Sequence, residues 1–160
     1  SSLLSRIELV VAKGEAEVVR ALAVPRDVES VGFIGLFDGD QRGSNVSSKW
    51  PYAFLPANGS PEKLLHDFAS SDVARAAQAL GLTRGHFAES IERHRHLDDH
   101  DWLIETSRDL NQSPETTVRQ LCAAWVAAHE ADARAAFEEI RTAFEAACLR
   151  PAPRHETAPP

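Results

Sequence analysis

The sequence predicts an α/β fold: a small parallel sheet followed by a mostly α-helical extension. Three observations predict it. The first 40 residues alternate strand-like and helix-like apolar patterns as a βαβ unit does. The seven-residue apolar run Val31–Phe37 stops abruptly at Asp38-Gly39-Asp40, as a buried parallel strand closed by turn formers does. From Ser60 onward the apolar residues recur at helical spacing behind repeated helix-start signals.

The elements run in order along the chain. Arg6–Ala12, RIELVVA, reads as a first strand, and the turn at Lys13 and Gly14 leads into a helix that Pro25 ends. That helix puts Val18, Val19 and Leu22 on one face, as a right-handed crossover packed on a sheet requires. The apolar strand 31–37 comes next, with Gly39 letting the chain turn between the two aspartates. Residues 41–50, QRGSNVSSKW, read as an exposed polar loop beside them, and Tyr52–Leu55 as a short strand before Pro56.

Ser60-Pro61-Glu62 and Ser113-Pro114-Glu115 each place a capping serine before a proline at the first helical position, with an acid near the positive helix end. Helices are predicted at 61–69, 72–80 (stopped by Gly81), 84–96, 99–110 and 114–148, the last with a break near Glu130. In it Val118, Leu121, Cys122, Trp125, Phe137, Ile140 and Phe144 form the predicted buried face, and Glu138, Glu139 and Glu145 the solvated one. The expected division is an α/β core at 1–60, a helical extension at 61–149 that packs on it, and a flexible proline-rich tail at 150–160.

Composition narrows the function classes. Residues 1–60 carry six Lys/Arg against seven Asp/Glu, and 61–160 carry eleven against seventeen, so the net charge of −7 arises mostly in the second part. A stand-alone nucleic-acid binder usually shows the opposite balance, whereas a bound cation can dominate the local field of an acidic protein. Cys122 and Cys148 lack CxxC spacing and are expected as buried thiols rather than a disulfide. No apolar run is long enough for a membrane span and no secretory leader is read, so the expected location is cytoplasmic with no membrane partner. The chain has no methionine and opens SSLL, and it reads as a piece of a longer protein. It lacks a GxxxxGK[ST] loop, which puts any ATP-binding part outside it.

Carboxyl ends of parallel strands are where α/β folds place their chemistry. Two carboxylates there, Asp38 and Asp40, suit a hard divalent cation held by oxygen ligands. The order βαβ, then a strand ending in DxD, then a short strand ending Leu55-Pro56 and a helix beginning PEKLL resembles a Toprim domain. The closest likeness is to the Toprim-like domains at the carboxyl end of ATP-binding proteins such as the overcoming-lysogenization-defect nucleases, and it covers residues 6–70.

Toprim domains end their first strand with a glutamate in an E-G-x-x-D/E pattern and use it with the two aspartates for magnesium binding and acid/base work. Here Gly14 matches the glycine and Glu17 the later acid, but Lys13 stands where the glutamate is expected. A protonated lysine cannot ligate a metal, though it can pair with the aspartates or meet a phosphate as a point charge. The resemblance therefore implies Asp38, Asp40 and Lys13 as catalytic residues and a Mg2+ or Mn2+ site at Asp38 and Asp40, with Glu15, Glu17 or Glu62 supplying the displaced acid. It implies substrate contacts from Lys49 and Arg42.

The implied activity is metal-dependent phosphodiester cleavage by the C-terminal part of a larger ATPase in DNA processing or phage defence. The implied partners are nucleic acid, an ATPase domain or subunit outside this chain, and further copies in a homo-oligomer. Lys13 also opens a second reading, a degenerate, non-catalytic Toprim-like module for interaction or dimerisation. A third is a haloacid-dehalogenase-like phosphatase, whose strand also ends in DxD with the first aspartate as nucleophile. That family usually has Thr or Val where this chain has Arg42, and its later acidic strand is not found here.

Other clusters read as structural. His86, His94, His96 and His100 gather with Asp98, Asp99 and Asp101, and zinc ligation by His96 and His100 would need one continuous helix face. The intervening Leu97-Asp98-Asp99 reads as a capped junction between two helices, with a contribution to the DGD site as the sharper alternative. Trp102 and Trp125 read as core residues, and Trp50 as packing rather than a base-stacking platform.

Overall fold

The structure, a computed structural model, describes residues 10, 12, 14–23, 32–44, 46 and 48–148. Among these the chain is mostly helical with a two-stranded parallel sheet. The elements are α1 (Glu15–Leu22), β1 (Gly35–Phe37), a 3₁₀ turn (Gly39–Gly43), β2 (Tyr52–Phe54), α2 (Pro61–Ser71), α3 (Val73–Ala79), α4 (Arg84–His94), α5 (Asp99–Asp109), α6 (Pro114–Ala128) and α7 (Glu130–Cys148). The first strand expected at 6–12 falls, but for residues 10 and 12, outside the described residues, as do Lys13 and the tail. The chain divides into two compact units: a strand unit of residues 1–37, 44–53 and 140–160, and a helical unit of residues 38–43 and 54–139.

In the strand unit, Gly35 N–H donates to the Pro51 carbonyl at 3.0 Å and Lys49 N–H to the Leu22 carbonyl at 3.2 Å. β1 is shorter than the apolar run because its partner β2 offers only three residues to pair with. A Cβ on Gly35 would stand 2.5 Å from Leu22 Cδ1, so the missing side chain lets the end of α1 close over the strand. Leu22, Phe37, Trp50 and Ala53 are buried, with Phe37 edge-on to Tyr52 at 5.8 Å and Trp50 edge-on to Phe33 at 5.2 Å. Trp50 is thus a packing residue, and the loop expected at 41–50 begins as a 3₁₀ turn.

The helical unit is built from local start and stop signals. Ser60, Asp72, Thr83, Asp98 and Ser113 each accept a backbone N–H from three residues downstream, which caps α2 to α6 in turn. Gly81, with φ of 73°, ends α3 in a left-handed turn in which Leu82 N–H reaches back to the Ala77 carbonyl at 2.8 Å. Leu65, Phe68, Ala76, Leu80, Phe87, Trp102, Leu121 and Trp125 form one buried cluster. Burial of side chains this size is worth about 1.5–3 kcal/mol each before ordering costs.

The expected break near Glu130 falls at His129, whose backbone N–H and ring Nδ1 both bind the Trp125 carbonyl, at 2.8 and 3.1 Å. This break shifts the helical phase of α7. Ala136, Ala143 and Ala147 are its buried positions, whereas Phe137 is 62% exposed, contrary to the continuous face predicted from spacing. Both cysteines are free and exposed, so the expectation of buried thiols is corrected as well. No helix among the described residues is long and apolar enough to cross a membrane.

Candidate functional site

Asp38 directly follows β1, and the chain tightens at once into the 3₁₀ turn, where Gln41 N–H donates to the Asp38 carbonyl at 3.1 Å. Gly39 is buried between the two exposed aspartates. The sequence suggests that this glycine supplies turning freedom, but its φ is not in the left-handed region. The requirement is steric: a Cβ there would lie 2.1 Å from the Ala57 carbonyl oxygen. The Ala57–Gly59 segment that crowds it leads straight into the Ser60 cap and α2, and so brings Glu62 toward the aspartates.

Asp38 is exposed as a residue, but partial burial of its carboxyl, then the charge of Asp40 and the charge of Glu62, hold it above its usual range. Neither aspartate makes an ion pair among the described residues, and Asp40 accepts a hydrogen bond from Gln41 Nε2 at 3.3 Å. Glu62 sits in the first turn of α2, with His100 Nδ1 3.8 Å from its Oε1. Of the residues expected at the site, Asp38, Asp40 and Glu62 thus share one electrostatic field in the helical unit. Glu17, in α1, and the exposed Lys49 belong to the strand unit, and Lys13 lies outside the described residues.

Arg42 is engaged elsewhere. Its Nη1 meets Glu139 Oε2 at 3.0 Å, its Nη2 reaches the Leu55 carbonyl at 3.2 Å, and its guanidinium lies 5.2 Å from the Phe54 ring centre. Glu139, expected on the solvated face, also accepts the Phe54 N–H at 3.2 Å. This pair borders an open cleft of about 690 Å³ whose lining includes Phe68, Trp125, His129 and Asp132.

No three His, Cys, Asp or Glu side chains converge to hold a metal ion among the described residues. A closed protein cage is therefore absent there. Magnesium, however, is commonly held by one or two carboxylates and keeps several waters, and the unpaired Asp38 and Asp40 suit that donor set.

The histidine cluster resolves into separate contacts. His94 Nε2 donates to Asp109 at 3.0 Å, His96 is exposed in the α4–α5 turn capped by Asp98, and His100 faces Glu62. Sequence reasoning missed His66, whose Nδ1 lies 2.7 Å from Asp99 Oδ1 and whose ring stacks on Trp102 at 4.3 Å. The available signal was its spacing of four from Glu62 on a helix with a clear start. No protein-family model matches this chain, and no match was found among curated proteins or solved structures.

Proposed function

We propose that this chain is a Toprim-like module whose Asp38 and Asp40, with Glu62 close by, take up Mg2+ or Mn2+ for phosphodiester cleavage in nucleic acid, as part of a larger ATPase in DNA processing or phage defence. The observation that carries this reading is the crowding of carboxylates around Asp38, which has no ion pair among the described residues. Asp38 is raised by burial and by two neighbouring acids, with no ion pair to offset them, and a divalent cation relieves that repulsion. A bound ion of this kind supplies Lewis-acid polarisation of a phosphoryl oxygen. The chain's own part is to hold Asp38 and Asp40 in register through the Gly39–Ala57 contact and to present Glu62 from a capped helix start.

Manganese should raise the melting temperature of the wild-type chain and support nicking of plasmid DNA, and Asp38→Ala should lose both effects. A second reading, a non-catalytic interaction or dimerisation module, draws support from the lack of a three-ligand set among the described residues and from the engagement of Arg42 by Glu139. A wild-type chain that neither responds to the metal nor cuts, yet associates with a partner chain, would decide for that alternative.

A further inference from the structure

We propose that His66, oriented by Asp99, is the proton acceptor that serves the Asp38, Asp40 and Glu62 corner; this rests on the phosphodiester reading above. Two independent contacts fix the imidazole. Nδ1–H donates to Asp99 Oδ1 at 2.7 Å, which leaves the lone pair of the neutral ring on Nε2. The ring lies nearly parallel to Trp102, 16° off with centroids 4.3 Å apart, and Trp102 is fully buried, so the platform is rigid. Nothing among the described residues holds Nε2, and the His66 side chain is 19% exposed.

The placement connects this pair to the acidic corner. Glu62 and His66 occupy successive turns of one face of α2, and Asp99 and His100 open α5 beside them, with His100 3.8 Å from Glu62. Glu62, Lys63 and Asp67 lie within about one turn of His66 on its own helix, and Asp99, which holds the ring, and His100 open α5. A carboxylate that orients a histidine and leaves its far nitrogen unengaged, one helical turn from an acidic corner, is the arrangement that general-base catalysis uses.

In the step this assigns, a water oxygen forms the new bond to phosphorus while its proton passes to His66 Nε2. The bond from phosphorus to the leaving ester oxygen breaks. The leaving oxygen, on the far side of phosphorus, takes a proton from solvent water, and the imidazolium, stabilised by Asp99, gives its proton back to solvent, so one water and one diester give a phosphomonoester and an alcohol.

His66→Asn tests the assignment, because its side-chain amide keeps a donor near the Nδ1 position for Asp99 but has no counterpart of Nε2. The expected result on this chain has three parts. Manganese affinity by isothermal titration stays at the wild-type value, the melting temperature falls by about 2–4 °C with the loss of the ring stack on Trp102, and plasmid nicking falls by about 10²–10⁴-fold. Asp99→Asn should also slow nicking with manganese binding intact.

Nicking by His66→Asn within threefold of wild type overturns the assignment and leaves the metal reading standing. So does a wild-type chain that binds manganese but cuts nothing. Lost manganese binding or a melting temperature lowered by more than about 8 °C in His66→Asn would make His66 structural and overturn the assignment. A wild-type chain that binds no manganese overturns both proposals together.

Discussion

Substituting Gly39 by alanine tests the contact on which the acidic corner depends. The new Cβ would stand 2.1 Å from the Ala57 carbonyl oxygen, 2.8 Å from the Ala57 carbonyl carbon and 3.2 Å from the Gly59 carbonyl oxygen. All three are backbone atoms, so no side chain can rotate out of the way. Ala57 already has a φ of 69°, strained for a residue with a Cβ, which limits how far the segment can yield. Overpacking of this kind costs about 1–3 kcal/mol, and a clash with backbone belongs at the upper end, about 3 kcal/mol. For a chain of this size each kcal/mol is worth about 2–4 °C, so the melting temperature should fall by about 6–12 °C. Displacement of residues 57–59 would also move the start of α2, and manganese affinity should drop with stability. Gly43→Ala in the same turn is the control, since nothing lies within 4 Å of a Cβ there and its φ is not left-handed. Thermal unfolding monitored by circular dichroism, with a manganese titration of each variant, reads both effects. A Gly39→Ala chain that melts within about 2 °C of wild type would refute the steric argument.

Other parts of the molecule give three further expected outcomes. Gly85 lies in the first turn of α4 with open space around it, so Gly85→Ala should stabilise by about 0.5 kcal/mol; a lower urea midpoint would contradict the packing described. The Arg42 and Glu139 alanine variants should show a coupling of about 1 kcal/mol in a double-mutant cycle, because the carboxylate also holds the Phe54 N–H; zero coupling would mean that the pair is an idle surface contact. Burial alone would raise the Asp109 carboxyl, but hydrogen bonds from Ser90 and His94 and the charges of Arg93 and His94 outweigh it and hold it below its ordinary value of 3.8. The folded value is therefore the lower one, so this stabilisation is complete above the unfolded value and is lost as pH falls through the folded one. Below that ordinary value of 3.8, wild-type stability should decline more steeply with falling pH than that of Asp109→Asn, and parallel declines would count against the network.

Much of the helical unit is legible in the sequence because its signals are local. The Ser60-Pro61 and Ser113-Pro114 starts, the Asp98 cap and the Gly81 stop depend on residues within one turn of each other, and a single sequence carries all of that information. Spacing misplaces the face of α7 because it runs on through His129, where a side-chain and a backbone bond to one carbonyl reset the phase. Apolar Phe137 then falls on the exposed side, and small alanines take the buried positions.

The candidate site divides along the same line. Sequence by itself determined that two carboxylates with one glycine between them come after an apolar strand and that Glu62 opens a capped helix. Tertiary structure decided which charges meet: His66 and Asp99 lie 33 residues apart, and Arg42 and Glu139 lie 97 apart. It also gave Gly39 its reason, a carbonyl oxygen that leaves no room for a methyl group. Capping and strand termination act over one turn of chain, whereas electrostatic fields and steric contacts act through space, where separation along the sequence carries no information.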